Sequence, residues 1–590
     1  LLTQSAVTDS RLPRGLLAKG LRYAFLTAVG FVCLFFSLSA GQSHAAAADV
    51  IDFTVSIGQA GEIVTLPIGA NAGNTFTGNV TIVWNTANAA ASTTVVAGFT
   101  DSAHMSWTYN TIGTYNVTVS APVGGTGVLT HFGNGISVVG TPRPWASGAA
   151  YVTAVTAWSG LTNLQGAFVG ATNLISVPAA LPAGVTNLSY AFYGDTSIND
   201  SNISTWNTAS VTDMSYMFYA ATSFNRSVNY NSVSNYWDTN LVQNMSNMFY
   251  DAISYNNAGV ASNWTRTTAV TNMSYMFAEA TSFNISIATW NTSAVTDMSF
   301  MFFGGTTGTV PIFTTATIFN NNGVSLSAWN GKLTNVTNYN YMFANDSAIN
   351  TALSGTLFGT AGGNTTMQGM FELAPIFNQD IHLWTTTNVT DMSFMFYGGI
   401  QATGTPSTIF STATTFNDAG VALAWNVGKV TNFNYMFAND TGINTGLNGT
   451  SWAPPAAANS TMQGMFELAT NFNADIRLWS LARVTDMSFM FFGGTQNAAG
   501  TAPTFTTPMI FNNGGTNNLS AWTVTRVANF NYMFANDTGV NSALASTAWA
   551  PTNGASTMQG MFDGATSFNA NISGWNTSTV TDMSYMFFGA

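Results

Sequence analysis

Side chains able to do acid–base, metal or thiol chemistry are scarce in this 590-residue chain, which carries 24 acids, 12 lysines and arginines, four histidines and one cysteine. His44 lies in a segment expected to be removed, which leaves His104, His131 and His382. No two of these have the spacing of a zinc pair. No Gly-x-Ser-x-Gly nucleophile elbow appears, and no phosphate-cradling glycine loop precedes a helix. His382 sits in Asp380-Ile381-His382-Leu383-Trp384, but matching segments put Arg477 or Ser573 in its place, which argues against a catalytic base. Scattered carboxylates could pair to act on a glycan, yet the acids recur at positions that suit structural caps. No enzyme activity, cofactor or metal site is expected.

The N-terminus accounts for much of the basic charge. Arg11, Arg14, Lys19 and Arg22 precede an almost continuously apolar run from Tyr23 to Leu38, and Ser43-His44-Ala45 places small residues at −3 and −1. That order is a secretory signal peptide over residues 1–45. Cys33 lies inside the apolar run, so the exported chain has no thiol and no disulfide. Removing residues 1–45 takes four of the 12 bases and one acid (Asp9), leaving a net charge of −15. Nucleic-acid binding needs a positive footprint, and eight dispersed bases do not make one. Only 6% of the residues are charged, while 46% are hydrophobic and 13% aromatic, far too apolar for a disordered chain.

Residues 46–140 read as short strands between Gly, Asn, Ala and Thr clusters. Ile63-Val64-Thr65-Leu66, Val80-Thr81-Ile82-Val83-Trp84 and Thr114-Tyr115-Asn116-Val117-Thr118-Val119 are examples, the last with Tyr115, Val117 and Val119 on one face. Met105 to Tyr109 with Ile112 to Val117 resembles the end of a PKD-type immunoglobulin-like domain, although that family's acidic turn is replaced by Trp84-Asn85-Thr86-Ala87. A small all-β sandwich is expected, followed by a linker over 141–150.

Residues 151–590 repeat. The Phe of a Met-Phe or Ala-Phe pair falls at 168, 192, 218, 249, 277, 302, 343, 371, 396, 437, 466, 491, 534, 562 and 587. A period near 25 residues implies fifteen stacked coils, none able to bury its apolar face alone. From about residue 302 a three-coil cassette of 94 to 96 residues recurs. In Phe283-Asn284-Ile285-Ser286-Ile287 alternation predicts a short parallel strand. In Val295-Thr296-Asp297-Met298-Ser299-Phe300-Met301-Phe302 the apolar offsets predict a short helix. Asp213, Asp297, Asp391, Asp486 and Asp582 precede the first helical Met and are expected as N-caps rather than calcium ligands. The Asn of each Phe-Asn pair (Asn225, Asn284, Asn320, Asn378, Asn417, Asn473, Asn512, Asn569) is expected to form a stacked ladder. Gly304-Gly305, Gly398-Gly399 and Gly493-Gly494 are expected to end helices in the left-handed conformation.

Phe-Asn-x-x-Ile-x-x-Trp-Asn-Thr-Ser-x-Val-Thr-Asp-Met-Ser-Tyr-Met-Phe resembles the repeat of BspA-type leucine-rich-repeat surface proteins, over about residues 151–590. The resemblance implies an α/β solenoid of leucine-rich-repeat-like coils, each with one short parallel strand and one short helix. It also implies an exported surface protein that adheres to an extracellular protein or glycan. An acid common in that family, two residues after the Asn of Phe-Asn, survives here only as Asp380 and Asp475.

The best candidate site is an insertion of about 16 residues after each Gly-Gly pair. These loops bring Thr306, Pro311 and Phe313, then Ile400, Pro406 and Phe410, then Thr495, Pro503 and Phe505. Recurring every third coil, they would emerge in a row and offer weak sites in multiple copies. Adhesion is the leading expectation. A stiff spacer or self-associating coat component is the alternative.

Overall fold

The computed structural model describes residues 50–590 except 69–75, 78, 88–91, 97–104, 121–127, 138–139, 307–309, 330, 354–362, 402–407, 448–451, 453–457, 498–500, 517, 545–548 and 550–553. The expected signal peptide, Cys33, His104 and Pro406 lie outside the described residues. Among those described, no helix is long and apolar enough to cross a membrane.

Ahead of the repeats, alternating strands bury one face. Ser92–Val96, Asn79–Val83, Gly113–Ser120, Val50–Ile57 and Val152–Trp158 form, in that spatial order, one antiparallel sheet. Two smaller antiparallel pairs join Glu62–Thr65 to Ser106–Tyr109 and Phe76–Thr77 to Val128–Leu129. Ile51, Phe53, Val55, Val117 and Val119 are buried, as period-two alternation requires. The Tyr109 hydroxyl donates to the carbonyl of buried Trp84 at 3.0 Å.

The sheet runs directly into the repeats. Ala154 of its last strand bridges Ser176 in parallel. The Trp145 indole donates to the Ala167 carbonyl at 2.8 Å, and the Phe132 ring lies 5.8 Å from Phe168. These contacts cover the apolar end of the first repeat, the role that a terminal capping unit serves in repeat proteins.

The expectation of an α/β solenoid with leucine-rich-repeat-like coils is overturned. Among the described residues the helical elements are 3₁₀ turns of three to five residues, and most of the sheets are small and antiparallel. The expected helix fails at one residue. Phe300 has φ +57°, and its counterparts Tyr190, Tyr216, Asn247, Tyr275, Tyr341, Phe394, Tyr435, Phe489, Tyr532 and Tyr585 lie between +55° and +59°. A residue in this left-handed region cannot continue a right-handed helix. The backbone N–H groups therefore turn outward. Those of Met298, Phe300, Phe302 and Gly304 donate to the carbonyls of Asn338, Asn340, Met342 and Ala344 in the next repeat, at 2.8–3.0 Å. The expected strand from Phe283 also does not form. Parallel pairing occurs instead at the expected cap positions, as a chain of bridges running Asp213, Asn244, Asn272, Asp297, Asn338 and Thr366. It continues through Asp391, Asn432, Thr461, Asp486, Asn529, Thr557 and Asp582.

Side chains reinforce this ladder. The fifteen Phe rings from Phe168 to Phe587 form one column, with every successive pair of centroids 5.4–5.8 Å apart and nearly parallel. The Phe or Tyr of the following x-Asn pair stacks on the same column at 3.8–4.1 Å. The Asn ladder is present. Asn225, Asn284, Asn378 and Asn473 each accept, through Oδ1, from the backbone N–H of the matching Asn one repeat on, at 2.8–3.0 Å. Asn199, Asn256, Asn350, Asn444 and Asn541 belong to it as well, though Ile, Tyr or Val precedes them.

Phe437 is fully buried between Phe396 and Phe466 at 5.4 and 5.6 Å. Phe437→Ala should cost about 3–5 kcal/mol, read as a lower denaturant midpoint by circular dichroism. Gly464, at φ +58°, leaves room for the Tyr435 ring where a Cβ would collide. Gly464→Ala should cost about 1–3 kcal/mol and lower the same midpoint.

Candidate functional site

Each insertion folds as an antiparallel hairpin. Gly305–Thr306 pairs with Ile312–Phe313, Gly399–Gln401 with Thr408–Phe410, and Gly494–Thr495 with Thr504–Phe505. The Gly-Gly pairs do not take the left-handed helix-ending conformation expected of them. They are needed for close approach, since a Cβ on Gly304, Gly398 or Gly493 would sit 2.6–2.7 Å from carbonyl oxygens of the hairpin or of the next repeat.

The base of each hairpin is clamped the same way. Asn345, Asn439 and Asn536 donate through Nδ2 to the carbonyls of Gly304, Gly398 and Gly493 at 2.6–2.7 Å. Phe313, Phe410 and Phe505 meet Phe303, Tyr397 and Phe492 edge to face at 5.6–5.8 Å. Sequence reasoning missed these clamps. Their signal is the triplet Ala-Asn-Asp at 344–346, 438–440 and 535–537, found in the repeat following each insertion.

The eight described residues among the nine expected contact residues therefore divide. Thr306 is exposed, Phe505 is 38% exposed, and Ile400, Thr495 and Pro503 are half-buried. Pro311 is buried, and Phe313 and Phe410 are half-buried anchors at the hairpin base. Strand Thr408–Phe410 of the second hairpin lies beside Gly494–Thr495 of the third. Gln401 Nε2 reaches back to Glu372 Oε2 at 2.7 Å and to the Tyr341 hydroxyl at 3.0 Å. Gln496 Nε2 likewise donates to Glu467 Oε2 at 2.6 Å, while its Oε1 accepts from the Tyr435 hydroxyl at 3.2 Å. At the matching place one cassette on, Tyr532 and Asp563 instead line a cleft of about 710 Å³ with Gln496, Pro503, Phe505 and Gln559.

The expected caps act on turns rather than helices. Asp213, Asp297, Asp391, Asp486 and Asp582 accept through Oδ1 from the backbone N–H two residues on, at 2.7–2.9 Å. Another set of acids is buried. Asp195, Asp346, Asp440, Asp537 and Glu372 are 0% exposed, and each has a carboxylate oxygen with no hydrogen-bond partner among the described residues. Burial pushes all five carboxyls well above the ordinary range, against the pull of backbone N–H donors at Asp346, Asp440 and Asp537. Burial also raises Asp418 to about 7 and Asp563 to about 6.

A family model described as "Mycoplasma protein of unknown function, DUF285" matches residues 162–265, 226–355, 311–403, 402–502 and 504–590. No curated protein and no solved structure matches the chain.

The buried acids set the sign of the pH dependence. A carboxyl with a raised folded pKa binds its proton where the unfolded chain, near pKa 4, has lost it, so stability falls as pH rises between the two values. Thermal unfolding should therefore begin at a higher temperature at pH 5 than at pH 8. The Asp418 and Asp563 contributions should be lost between about pH 4 and their folded values of about 7 and about 6.

Proposed function

The chain belongs to the DUF285 family, and we propose that it acts without catalysis, as an exported adhesion protein that contacts an extracellular protein or glycan through its hairpins. The observation that carries this reading is the recurrence of three hairpins, clamped alike at their bases, with apolar side chains in solvent on the outer strands of the first and third. Ile312 is 54% exposed and Phe505 38%. Weak contacts repeated along a row gain avidity that one contact lacks. The cleft beside the third hairpin offers amide, hydroxyl, carboxyl and aromatic groups together, a mixture that suits the polar edges and apolar faces of sugars. The basic, apolar and small-residue segments of residues 11–45 support export. The resemblance to BspA-type surface proteins supports adhesion.

The test is binding of the full chain to an array of matrix proteins and glycans, beside a variant in which short Gly-Ser turns replace the three hairpins. Saturable binding lost in the variant, with the circular dichroism spectrum retained, is the expected result. No binding by the folded wild type would end the adhesion reading for those partners. Concentration-dependent assembly in light scattering, without binding to the array, would favour the alternative of a self-associating coat component.

A further inference from the structure

Asp380 and His382 belong to one repeat and Asp418 to the next, yet one ligand atom from each lies within 4.8 Å of the others. The His382 Nδ1 is in contact with Asp380 Oδ1, and Asp380 also accepts from the His382 backbone N–H at 3.2 Å. We propose that these three side chains bind one divalent transition-metal cation of the zinc class. Among the described residues they are the one cluster of three such groups.

The other repeats show why this place differs. In the position of Asp418 stand Asn257, Asn321 and Asn513. Each uses Oδ1 to accept from a backbone N–H of the preceding repeat, of Val228, Ile287 and Ile476, at 2.7–2.8 Å. Each then donates its Nδ2 to a carbonyl: Val260, Val324 or Asn518. Asp418 keeps the first bond, accepting from Ile381 at 2.6 Å. In place of the amide donor it has a second carboxylate oxygen, buried and without a hydrogen-bond partner among the described residues. One carboxylate oxygen of Asp418 lies within 4.8 Å of the ligand atoms of Asp380 and His382. In the earlier repeat Asn257 Nδ2 also reaches Asn229 Oδ1 at 3.1 Å, and Asn229 occupies the place of His382.

The residues change together. Where the Asp418 position is the neutral Asn513, the other two are Asp475 and Arg477, which pair with each other at 3.3 Å and cannot jointly hold a metal. Where it is Asn321, they are Ser286 and Ala288. The middle cassette replaces arginine by imidazole and amide by carboxylate. Both changes turn a non-ligand into a ligand, and a cation between them would neutralise the orphaned buried oxygen. One imidazole nitrogen and two carboxylates suit zinc and its transition-metal neighbours, whereas calcium takes six to eight oxygens. Ligands about 2.0–2.2 Å from a tetrahedral ion lie roughly 3.5 Å apart, so small side-chain rotations complete the site. The bound ion would tie two adjacent repeats together.

The test is isothermal titration of chelator-treated full chain with zinc chloride, and separately with calcium chloride. The expected result is one saturable zinc per chain, no saturable calcium, and a higher melting temperature with zinc. Asp418→Asn and the double variant H382R/D418N install residues that the neighbouring cassette already carries at these positions, so their fold should persist, checked by circular dichroism. Both should lose zinc binding by at least tenfold. Absence of saturable zinc binding by folded wild type overturns the proposal, as does zinc binding that Asp418→Asn leaves intact.

Discussion

The structure depends on backbone hydrogen bonds that leave one repeat and end in the next. A segment such as Met298 to Gly304 spends its N–H groups on carbonyls of the following repeat, so a single repeat would leave half of its polar backbone unpaired. The Phe column obeys the same constraint, because each ring also stacks on the rings above and below it in neighbouring repeats. Stacked aromatic pairs add about 0.5–1.5 kcal/mol each beyond their burial. Stability is therefore a property of neighbouring repeats, and the first repeat needs the N-terminal sheet, with Phe132 and Trp145, to cover its open face.

The direction of those bonds follows from one conformational choice. The left-handed residue before each Met-Phe pair reverses the local path, so alternate amides point along the stack. Tyrosine or phenylalanine occupies that place in most repeats, where left-handed φ costs about 1–2 kcal/mol. Their rings recover part of that by stacking outside the main core, as Tyr190 does on Tyr216 and Tyr275 on Phe300, both at 4.5 Å. Where Gly369, Gly464 and Gly560 take the place, the saved volume receives the preceding tyrosine ring. The hairpins cover this same face, and their glutamines reach Tyr341 and Tyr435 across it.

Carboxylates divide according to the same geometry. Those at the bridge positions stay partly exposed and hold turns. Those after the Ala-Asn clamp are fully buried, and burial favours their protonated form. A chain with so few charges places several where water cannot reach, and its stability is tied to acidity as a result.

Several features were legible from residues alone. The repeat period, the three-repeat cassette, the Phe core, the Asn ladder and the places of the insertions all follow from identity and spacing, because stacked copies must present the same side chain at the same height. The local conformation was not legible. Apolar offsets of three and seven fit a helix face, and nothing in Met-Ser-Tyr-Met-Phe announces a left-handed tyrosine; the glycines at 166, 369, 464 and 560 were the available sign. Tertiary structure alone brought Asp418 to His382 across 36 positions of sequence. It also turned Phe313 and Phe410 from contact residues into anchors. Spacing within one repeat sets which side chains share a face, but contacts between repeats are made only once the backbone bonds fix how neighbours stack.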